Sequence, residues 1–210
     1  MHHFQYQDGE LYCEEVPLRK IAEKIGTPTY VYSTATLTRH YYAFTEPFKE
    51  IESVICFSVK ALSNIAILRL FANLGSGFDT VSGGELYRVE KAGGDTSKVV
   101  FTGPAKTESE LSYALSKDIL LFNVESEQEL EFLDQIAKRQ GKKARVALRV
   151  NPDINPETHP HISTGLKENK FGIEINKALE LYQNWEKYQW LEIIGIDCHI
   201  GSQMVRLRPI

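Results

Sequence analysis

The feature that most constrains the fold is a regular alternation of short apolar segments and amphipathic segments that begins at Ser53. The apolar segments have the length and the β-branched or aromatic content of buried strands. The predicted strands are Ile55 to Val59, Gly77 to Thr80, Val99 to Thr102, Ile119 to Val124, Ala144 to Val150 and Ile193 to Ile200. Predicted helices between or after them are Ile65 to Phe71, Ser82 to Ala92, Ser109 to Ser116, Ser126 to Arg139 and Asn176 to Tyr188.

This alternation predicts an α/β fold in which helices cover a parallel sheet. Two architectures have this pattern, the open doubly wound sheet and the (β/α)8 barrel. Six strand units are predicted, whereas a (β/α)8 barrel has eight strands. The residue pattern alone leaves open whether the sheet is open and complete or is a barrel truncated after about six units.

The first fifty residues follow a different pattern. Two short strands are predicted around the turn at residues 7–10, followed by a helix from Val16 to Ile25 with Pro17 near its first turn. The segment from Thr29 to Tyr32 alternates like a strand. A helix capped by Ser33 or Thr34 is then predicted to run to about Phe48.

Composition excludes several classes of function. The net charge of −4 and the absence of a dense Lys/Arg cluster argue against a nucleic-acid surface. No apolar stretch approaches the length of a membrane span, and no signal peptide is recognisable. Cys13, Cys56 and Cys198 are widely spaced, and Cys56 and Cys198 lie inside apolar strand-like runs. We therefore expect buried, reduced thiols in a cytoplasmic protein rather than a disulfide or a metal site.

The strand at Ile55 ends at Lys60, directly before a helix that Ser63 or Asn64 can cap. Parallel α/β proteins place their chemistry at this end of a strand. We expect the lysine stem to lie in apolar surroundings, which would lower the pKa of the ammonium and suit the amine to nucleophilic or Schiff-base chemistry. The alternative is a surface lysine that begins an ordinary loop.

Three further side chains with chemical potential stand at predicted strand ends, namely Asp79, Arg149 and His199. The carboxyl ends of parallel strands meet at one edge, so these residues and Lys60 would converge there. Each also has a structural interpretation: Asp79 could cap a helix, Arg149 could pair with a carboxylate, and His199 could lie near the core. Their shared placement favours a functional site.

Small residues near the strand ends give only weak signals for a phosphate. Gly83-Gly84-Glu85 opens a helix, and Gly201-Ser202 follows His199. Motifs for P-loop, dinucleotide-binding and hydrolase sites are absent. The long segment from Asn151 to Gly172 has the character of a functional loop, and the spacing of its His159 and His161 does not favour a metal pair.

Several of these stretches resemble the pyridoxal-phosphate decarboxylases of the alanine-racemase-like fold. The resemblance rests on residues 57–61 (FSVKA), 77–86 (GFDTVSGGEL) and 148–152 (LRVNP). Residues 161–172 (HISTGLKENKFG) and 198–203 (CHIGSQ) are more specific and are similar to the diaminopimelate decarboxylases. The resemblance runs along nearly the whole chain and implies pyridoxal 5'-phosphate as the cofactor.

The resemblance also implies roles for individual residues at the cofactor. Lys60 corresponds to the Schiff-base lysine of the family, and His199 to the histidine that stacks on the pyridine ring. Gly201 and Ser202 correspond to a loop that contributes to phosphate binding. Arg149 corresponds to a residue below the cofactor that orients a nearby charge.

Three further correspondences concern the lysine and the partner subunit. Asp79 and Glu85 match carboxylates near the Schiff-base lysine, and both are expected to be catalytic together with Lys60 and His199. Lys170 matches a residue that meets the partner subunit near the site. The family is homodimeric with shared active sites, so the resemblance implies a homodimer.

The activity implied by the resemblance is decarboxylation of meso-2,6-diaminopimelate to L-lysine and CO2 in the cytoplasm. Residues 1–30 would belong to the side of a separate β-domain, and residues 31–210 would form an incomplete (β/α) barrel. The family's Gly-rich phosphate loop, its glutamate at the pyridine nitrogen and its C-terminal β-domain are not recognisable here, so we expect the 210-residue chain alone to be an inactive fragment. Alternatives are a decarboxylase of ornithine, arginine or carboxynorspermidine, and a non-catalytic pyridoxal-phosphate-binding barrel.

Overall fold

The computed structural model describes residues 2–152 and 171–201 of the chain. The chain begins with an antiparallel sheet of β1 (Phe4–Gln7), β2 (Glu10–Cys13) and β3 (Val16–Pro17). Asp8 and Gly9, which connect β1 to β2, both have positive φ, the conformation of a two-residue hairpin loop. The predicted hairpin is therefore confirmed. Pro17 belongs to β3 and precedes the first helix instead of lying in its first turn.

Two helices follow this small sheet, α1 (Leu18–Ile25) and α2 (Thr34–Thr45). The Ser33 side chain caps α2 by accepting a hydrogen bond from the Thr36 amide, and a 3-10 turn at Glu46–Phe48 ends it. The predicted strand at residues 29–32 is wrong, because this segment forms neither helix nor strand. Alternation favours an extended backbone, but a strand also needs a neighbour, and none of the described strands pairs with this segment.

The predicted parallel sheet is confirmed, with small shifts in the strand ends. Its strands are β4 (Cys56–Ser58), β5 (Gly77–Thr80), β6 (Val99–Phe101), β7 (Leu121–Val124), β8 (Ala144–Asn151), β9 (Ile173–Glu174) and β10 (Leu191–Asp197). The hydrogen-bonded order is β10-β8-β7-β6-β5-β4, and β9 pairs with the end of β8.

This order distinguishes the two architectures that the sequence left open. From β4 to β8 each strand pairs in parallel with the strand before it in the chain, and β10 continues on the far side of β8. A doubly wound sheet reverses its order at a switch point, whereas a barrel does not. The described strands contain no reversal, so they form part of an α/β barrel.

The helices alternate with the strands as predicted. They are α3 (Ile65–Asn73), α4 (Gly83–Ala92), α5 (Glu108–Ser116), α6 (Glu127–Gln140) and α7 (Ile175–Gln183). The last helix is shorter than predicted, because the Asn184 side chain donates a hydrogen bond to the Glu180 carbonyl where α7 ends. A 3-10 turn at Trp185–Lys187 then leads towards β10.

The core lies between the sheet and the helices. Phe78, Phe101 and Phe122 come from neighbouring strands and are almost fully buried, as are Leu86 of α4 and Leu133 of α6. Burying one such side chain stabilises the fold by roughly 1.5–3 kcal/mol relative to leaving it exposed. This core fixes the strands, and therefore the positions of the side chains at their carboxyl ends. Within the described residues, no helix has the length and apolar character that a membrane crossing requires.

Candidate active site

A cleft of about 630 Å³ lies at the carboxyl ends of the parallel strands. Four of the predicted site residues line it, namely Lys60, Asp79, Arg149 and His199. They come from four different strand ends, β4, β5, β8 and β10. The predicted convergence of these residues is therefore observed.

Lys60 reaches the cleft because the chain turns immediately after β4. A 3-10 turn at Val59–Ala61 is closed by a 3.0 Å hydrogen bond from the Leu62 amide to the Val59 carbonyl. Val59 is fully buried and anchors the turn, while Lys60 is exposed at the rim. The expected apolar setting of the lysine stem is thus not observed. Among the described residues, none accepts a hydrogen bond from the Lys60 amine.

Asp79 is held by hydroxyl groups from the two strands that flank it. Its Oδ2 accepts a 3.2 Å hydrogen bond from Ser58 Oγ on β4, which the sheet register places directly opposite. Its Oδ1 accepts a 2.6 Å bond from Thr102 Oγ1 at the end of β6. Asn123 Nδ2 on β7 donates to the same Thr102 oxygen at 3.1 Å. A continuous chain of hydrogen bonds therefore links the ends of four neighbouring strands.

Arg149 makes ionic contacts on the other side of the cleft. Its Nη1 lies 2.6 Å from Glu125 Oε1, just beyond β7, and this carboxylate and guanidinium are both largely buried. Its Nε lies 3.7 Å from Asp197 Oδ2, and the register places Asp197 opposite Arg149. The guanidinium also lies 5.4 Å from the centre of the Phe171 ring.

The pKa values of Asp197 and His199 are shifted in opposite directions. Burial raises the pKa of Asp197, although the Arg149 cation acts against this, and Oδ2 accepts no hydrogen bond from the described residues. The pKa of His199 is lowered, first because the ring is partly withdrawn from water and then because the Arg149 and Lys60 cations are near. Both shifts favour uncharged forms of these two groups at the cleft.

Two further predicted site residues, Glu85 and Gly201, lie in the described part of the chain. Glu85 does not line the cleft; its carboxylate accepts a 2.9 Å hydrogen bond from the Val81 amide at the start of α4. Its catalytic role therefore stays a prediction. Gly201 is described, but Ser202 and Lys170 lie outside the described residues, as do His159 and His161.

Four residues that contribute to this arrangement were not predicted from the sequence, namely Ser58, Thr102, Glu125 and Asp197. All four carry polar groups at or just beyond strand ends, so the rule that identified Asp79 could have found them.

The cleft fits the cofactor that the resemblance implies. Lys60 supplies an amine and His199 supplies an aromatic ring. Arg149 supplies a positive charge that can balance a nearby anionic group. Thr102 and the backbone at Gly103 add polar groups to the wall. The residues present are therefore compatible with pyridoxal phosphate.

Comparison with known proteins gives a consistent result. Residues 34–210 match the family model described as "Pyridoxal-dependent decarboxylase, pyridoxal binding domain". The chain is 54% identical over 209 residues to a diaminopimelate decarboxylase of Haemophilus influenzae, and 52% identical over 210 residues to one of Vibrio cholerae. Each match covers the whole chain and 50% of the relative, so the chain spans about half the length of these proteins.

Solved structures agree with the fold. Diaminopimelate decarboxylase of Helicobacter pylori in complex with L-lysine has a TM-score of 0.88 and 43% identity, covering 91% of this chain and 49% of that one. The enzyme of M. jannaschii in complex with L-lysine has a TM-score of 0.90 and 38% identity, covering 100% of this chain and 51% of that one. Since the family model covers most of the chain, the protein belongs to the pyridoxal-dependent decarboxylases and contains their pyridoxal-binding domain.

Proposed function

We propose that this chain is the pyridoxal-phosphate-binding part of a diaminopimelate decarboxylase, which converts meso-2,6-diaminopimelate to L-lysine and CO2. The observation that carries the proposal is the convergence of Lys60, Asp79, Arg149 and His199 on one cleft. Identity above 50% along the whole chain to two diaminopimelate decarboxylases supports this substrate over others.

In this proposal Lys60 is the covalent attachment point for the cofactor. Pyridoxal phosphate, when bound, supplies the electron sink that accepts the electron pair left behind as the carboxylate departs as CO2. The exposed position of the Lys60 amine makes it accessible to a carbonyl group in the cleft. Asp79 lines the same cleft and is fixed by Ser58 and Thr102, so its carboxylate offers an oriented negative charge for a substrate ammonium or a proton.

His199 and Arg149 act on the opposite wall. The lowered pKa of His199 favours a neutral imidazole, which can pack on an aromatic ring without adding a charge. Arg149 is held by Glu125 and lies near Asp197, so it keeps a fixed positive charge beside the cleft. Gly201 and Ser202 would contribute to the phosphate site, and Glu85 would act through the start of α4 and not by contact with the substrate.

We further propose a cytoplasmic homodimer with active sites shared between subunits, with Lys170 near the interface. The free thiols of Cys13, Cys56 and Cys198 support a reducing compartment. The dimer is proposed from the resemblance to the family. Size-exclusion chromatography with light scattering tests it directly, and a monomer at micromolar concentration would contradict it.

A chimera tests the substrate without relying on the chain alone. The matching half of the Haemophilus influenzae relative is replaced by this chain, and CO2 release is measured with meso-diaminopimelate, ornithine and arginine. We expect release from meso-diaminopimelate to exceed release from the other two substrates by at least tenfold. The matched control carries Lys60→Arg, which keeps the positive charge but removes the primary amine.

Three results would contradict the proposal in different ways. Preferential turnover of ornithine or arginine would assign a different decarboxylase of the same fold. A folded chimera that binds the cofactor but releases no CO2 would favour a non-catalytic pyridoxal-phosphate-binding protein. Full activity of the Lys60→Arg chimera would remove Lys60 from the chemistry.

A further inference from the structure

A buried lysine lies behind the cleft and has no role in the proposed function so far. Lys106 follows β6, and its side chain is only 1% exposed. Its amine lies 2.5 Å from Glu129 Oε1 on α6, and it donates a 2.7 Å hydrogen bond to the backbone carbonyl of Asn123 at the end of β7. A buried ammonium is costly unless it is paired and hydrogen-bonded, and here a carboxylate and a carbonyl accept two of its three N–H bonds.

Glu129 connects this lysine to the ionic side of the cleft. Its second oxygen, Oε2, accepts a 3.0 Å hydrogen bond from the backbone amide of Glu125. The Glu125 side chain in turn lies 2.6 Å from Arg149 Nη1. The position of the residue that holds Arg149 is therefore fixed by the carboxylate that Lys106 neutralises.

Asn123 connects the same lysine to the other side of the cleft. While its carbonyl accepts from Lys106, its side-chain amide donates to Thr102, which donates to Asp79. Lys106 thus bonds a member of each series of contacts. Asn123 belongs to the series that ends at Asp79, and Glu129 belongs to the series that ends at Arg149. Among the described residues, no other side chain donates hydrogen bonds to both Asn123 and Glu129.

The start of α4 shows that helix capping does not require such a lysine. There Ser82 caps the helix, and Glu85 accepts the hydrogen bond of the preceding Val81 amide, as Ser126 and Glu129 do at the start of α6. Glu85 is without a buried lysine partner in the described part of the chain. The ion pair at Lys106 therefore does more than complete the cap of α6.

We propose that Lys106 is a positioning residue, which acts through its buried ion pair with Glu129 and its bond to Asn123 to hold Arg149 and Asp79 in their places at the cleft. The inference rests on the proposed function only in taking these two residues as parts of a cofactor site. Its structural content, that Lys106 sets the position of Arg149, holds with or without the cofactor.

The test follows the His199 imidazole by NMR titration of the chain. Partial burial lowers the pKa of His199 first, and the Arg149 charge lowers it further. In Lys106→Met the guanidinium is no longer held in place, so the pKa of His199 should rise towards its ordinary value, in the same direction as in Arg149→Met. In an Arg149→Met background, Lys106→Met should add little further shift.

The matched control is Lys117→Met, which removes the ion pair with Glu90 away from the cleft. It should leave the His199 titration unchanged. Because Lys106→Met leaves the Glu129 carboxylate buried without its partner, Lys106→Met/Glu129→Gln provides a second variant without that charge. An unchanged His199 titration in both folded variants, or equal shifts in Lys117→Met, would overturn the proposal.

A second readout separates this inference from the proposed function. Pyridoxal phosphate is added, the chain is reduced with borohydride, and labelling of Lys60 is quantified by mass spectrometry. We expect at least tenfold weaker apparent affinity in the Lys106 variants than in Lys117→Met. Absence of labelling in the wild type would count against the proposed function, while the His199 titration would still decide the role of Lys106.

Discussion

The two sides of the cleft are held by different kinds of interaction. On the hydroxyl side, defined as Ser58, Asp79, Thr102 and Asn123, one carboxylate accepts two hydroxyl bonds and an amide extends the chain. On the ionic side, defined as Glu125, Arg149 and Asp197, a buried guanidinium lies between two carboxylates. Both sets of contacts start near β7. The hydroxyl side extends from there to β4, and the ionic side extends to β10.

This difference predicts how much stability a substitution on each side should cost. A hydrogen bond typically contributes about 0.5–1.5 kcal/mol net, and its loss is partly compensated when water can enter. A buried ion pair that loses one partner leaves an uncompensated charge and is far more sensitive. We therefore expect substitutions on the ionic side to have the larger effects, and Asp197 on that side to make stability depend on pH.

The largest expected effect is that of Arg149→Met. It leaves the Glu125 carboxylate, whose side chain is 6% exposed, without its cation, and we expect a loss of about 3–5 kcal/mol in the free energy of unfolding. Urea denaturation measures this loss. The control is Arg139→Met, whose pair with Glu108 is 56% exposed at both partners and should cost no more than about 1 kcal/mol. Equal losses would contradict the proposed contrast between buried and exposed pairs.

On the hydroxyl side, Thr102→Val should have an intermediate effect. Valine keeps the shape of threonine but removes the hydroxyl, so Asp79 Oδ1 loses a donor and Asn123 Nδ2 loses an acceptor. We expect a loss of about 1–3 kcal/mol in the free energy of unfolding, measured by urea denaturation. Thr45→Val is the control, since the Thr45 hydroxyl makes only a 3.4 Å contact at the surface. A loss in Thr102→Val as large as in Arg149→Met would erase the difference between the two sides.

The pH dependence should be smaller and of defined sign. Because burial raises the pKa of Asp197 in the folded chain above its ordinary value of 3.8, the folded state binds the proton more tightly than the unfolded state. Relative to Asp197→Asn, the wild type should lose stability as pH rises from that value through the raised pKa. Urea denaturation across this pH window measures the slope.

Glu110 provides the opposite slope as a control. Hydrogen bonds from the Gly83 amide and from Thr107 lower the pKa of Glu110 below its ordinary value of 4.5. Relative to Glu110→Gln, the wild type should therefore lose stability as pH falls through this region towards the lowered pKa. Slopes of the same sign in the two comparisons would contradict the assignment for Asp197.

The smallest expected effect concerns the reactivity of two cysteines, Cys56 and Cys198, which line opposite sides of the cleft. Burial raises the pKa of the Cys56 thiol to about 11, and the nearby Asp79 charge adds to the shift. Cys198 is exposed, so the predicted burial of this thiol is wrong, although partial desolvation and then the Asp197 charge also raise its pKa. Iodoacetamide at pH 8 should modify Cys198 faster than Cys56, as followed by peptide mass spectrometry, because the reactive thiolate is more accessible there. Faster modification of Cys56 would contradict this order.

Much of the fold was predictable from the sequence because its pattern repeats. Buried parallel strands such as β5 and β8 are short apolar runs, and helices such as α6 begin at a cap and end at a glycine. The strand predicted from Thr29 to Tyr32 was wrong because a backbone can be extended without a strand beside it. The residue pattern alone left strand order open, because which strands pair depends on tertiary packing. The incomplete barrel implied by the family resemblance is confirmed by the observed order.

The predictable site residues are those that can be recognised one at a time, by their position at a strand end. Lys60, Asp79, Arg149 and His199 all follow from their positions at strand ends. The Lys106–Glu129 pair did not, because Glu129 has the spacing of an ordinary helix cap and Lys106 that of a surface loop residue. Their contact depends on how the loops after β6 and β7 fold over each other.

The most direct test of the whole account is covalent labelling of Lys60 in the 210-residue chain. Pyridoxal phosphate is added, the chain is reduced with borohydride, and the modified peptides are mapped by mass spectrometry. We expect a stoichiometric adduct on Lys60, lost in Lys60→Arg and retained in Lys98→Arg. Label scattered over surface lysines, or the same yield in Lys60→Arg, would contradict the assignment of this cleft as the cofactor site.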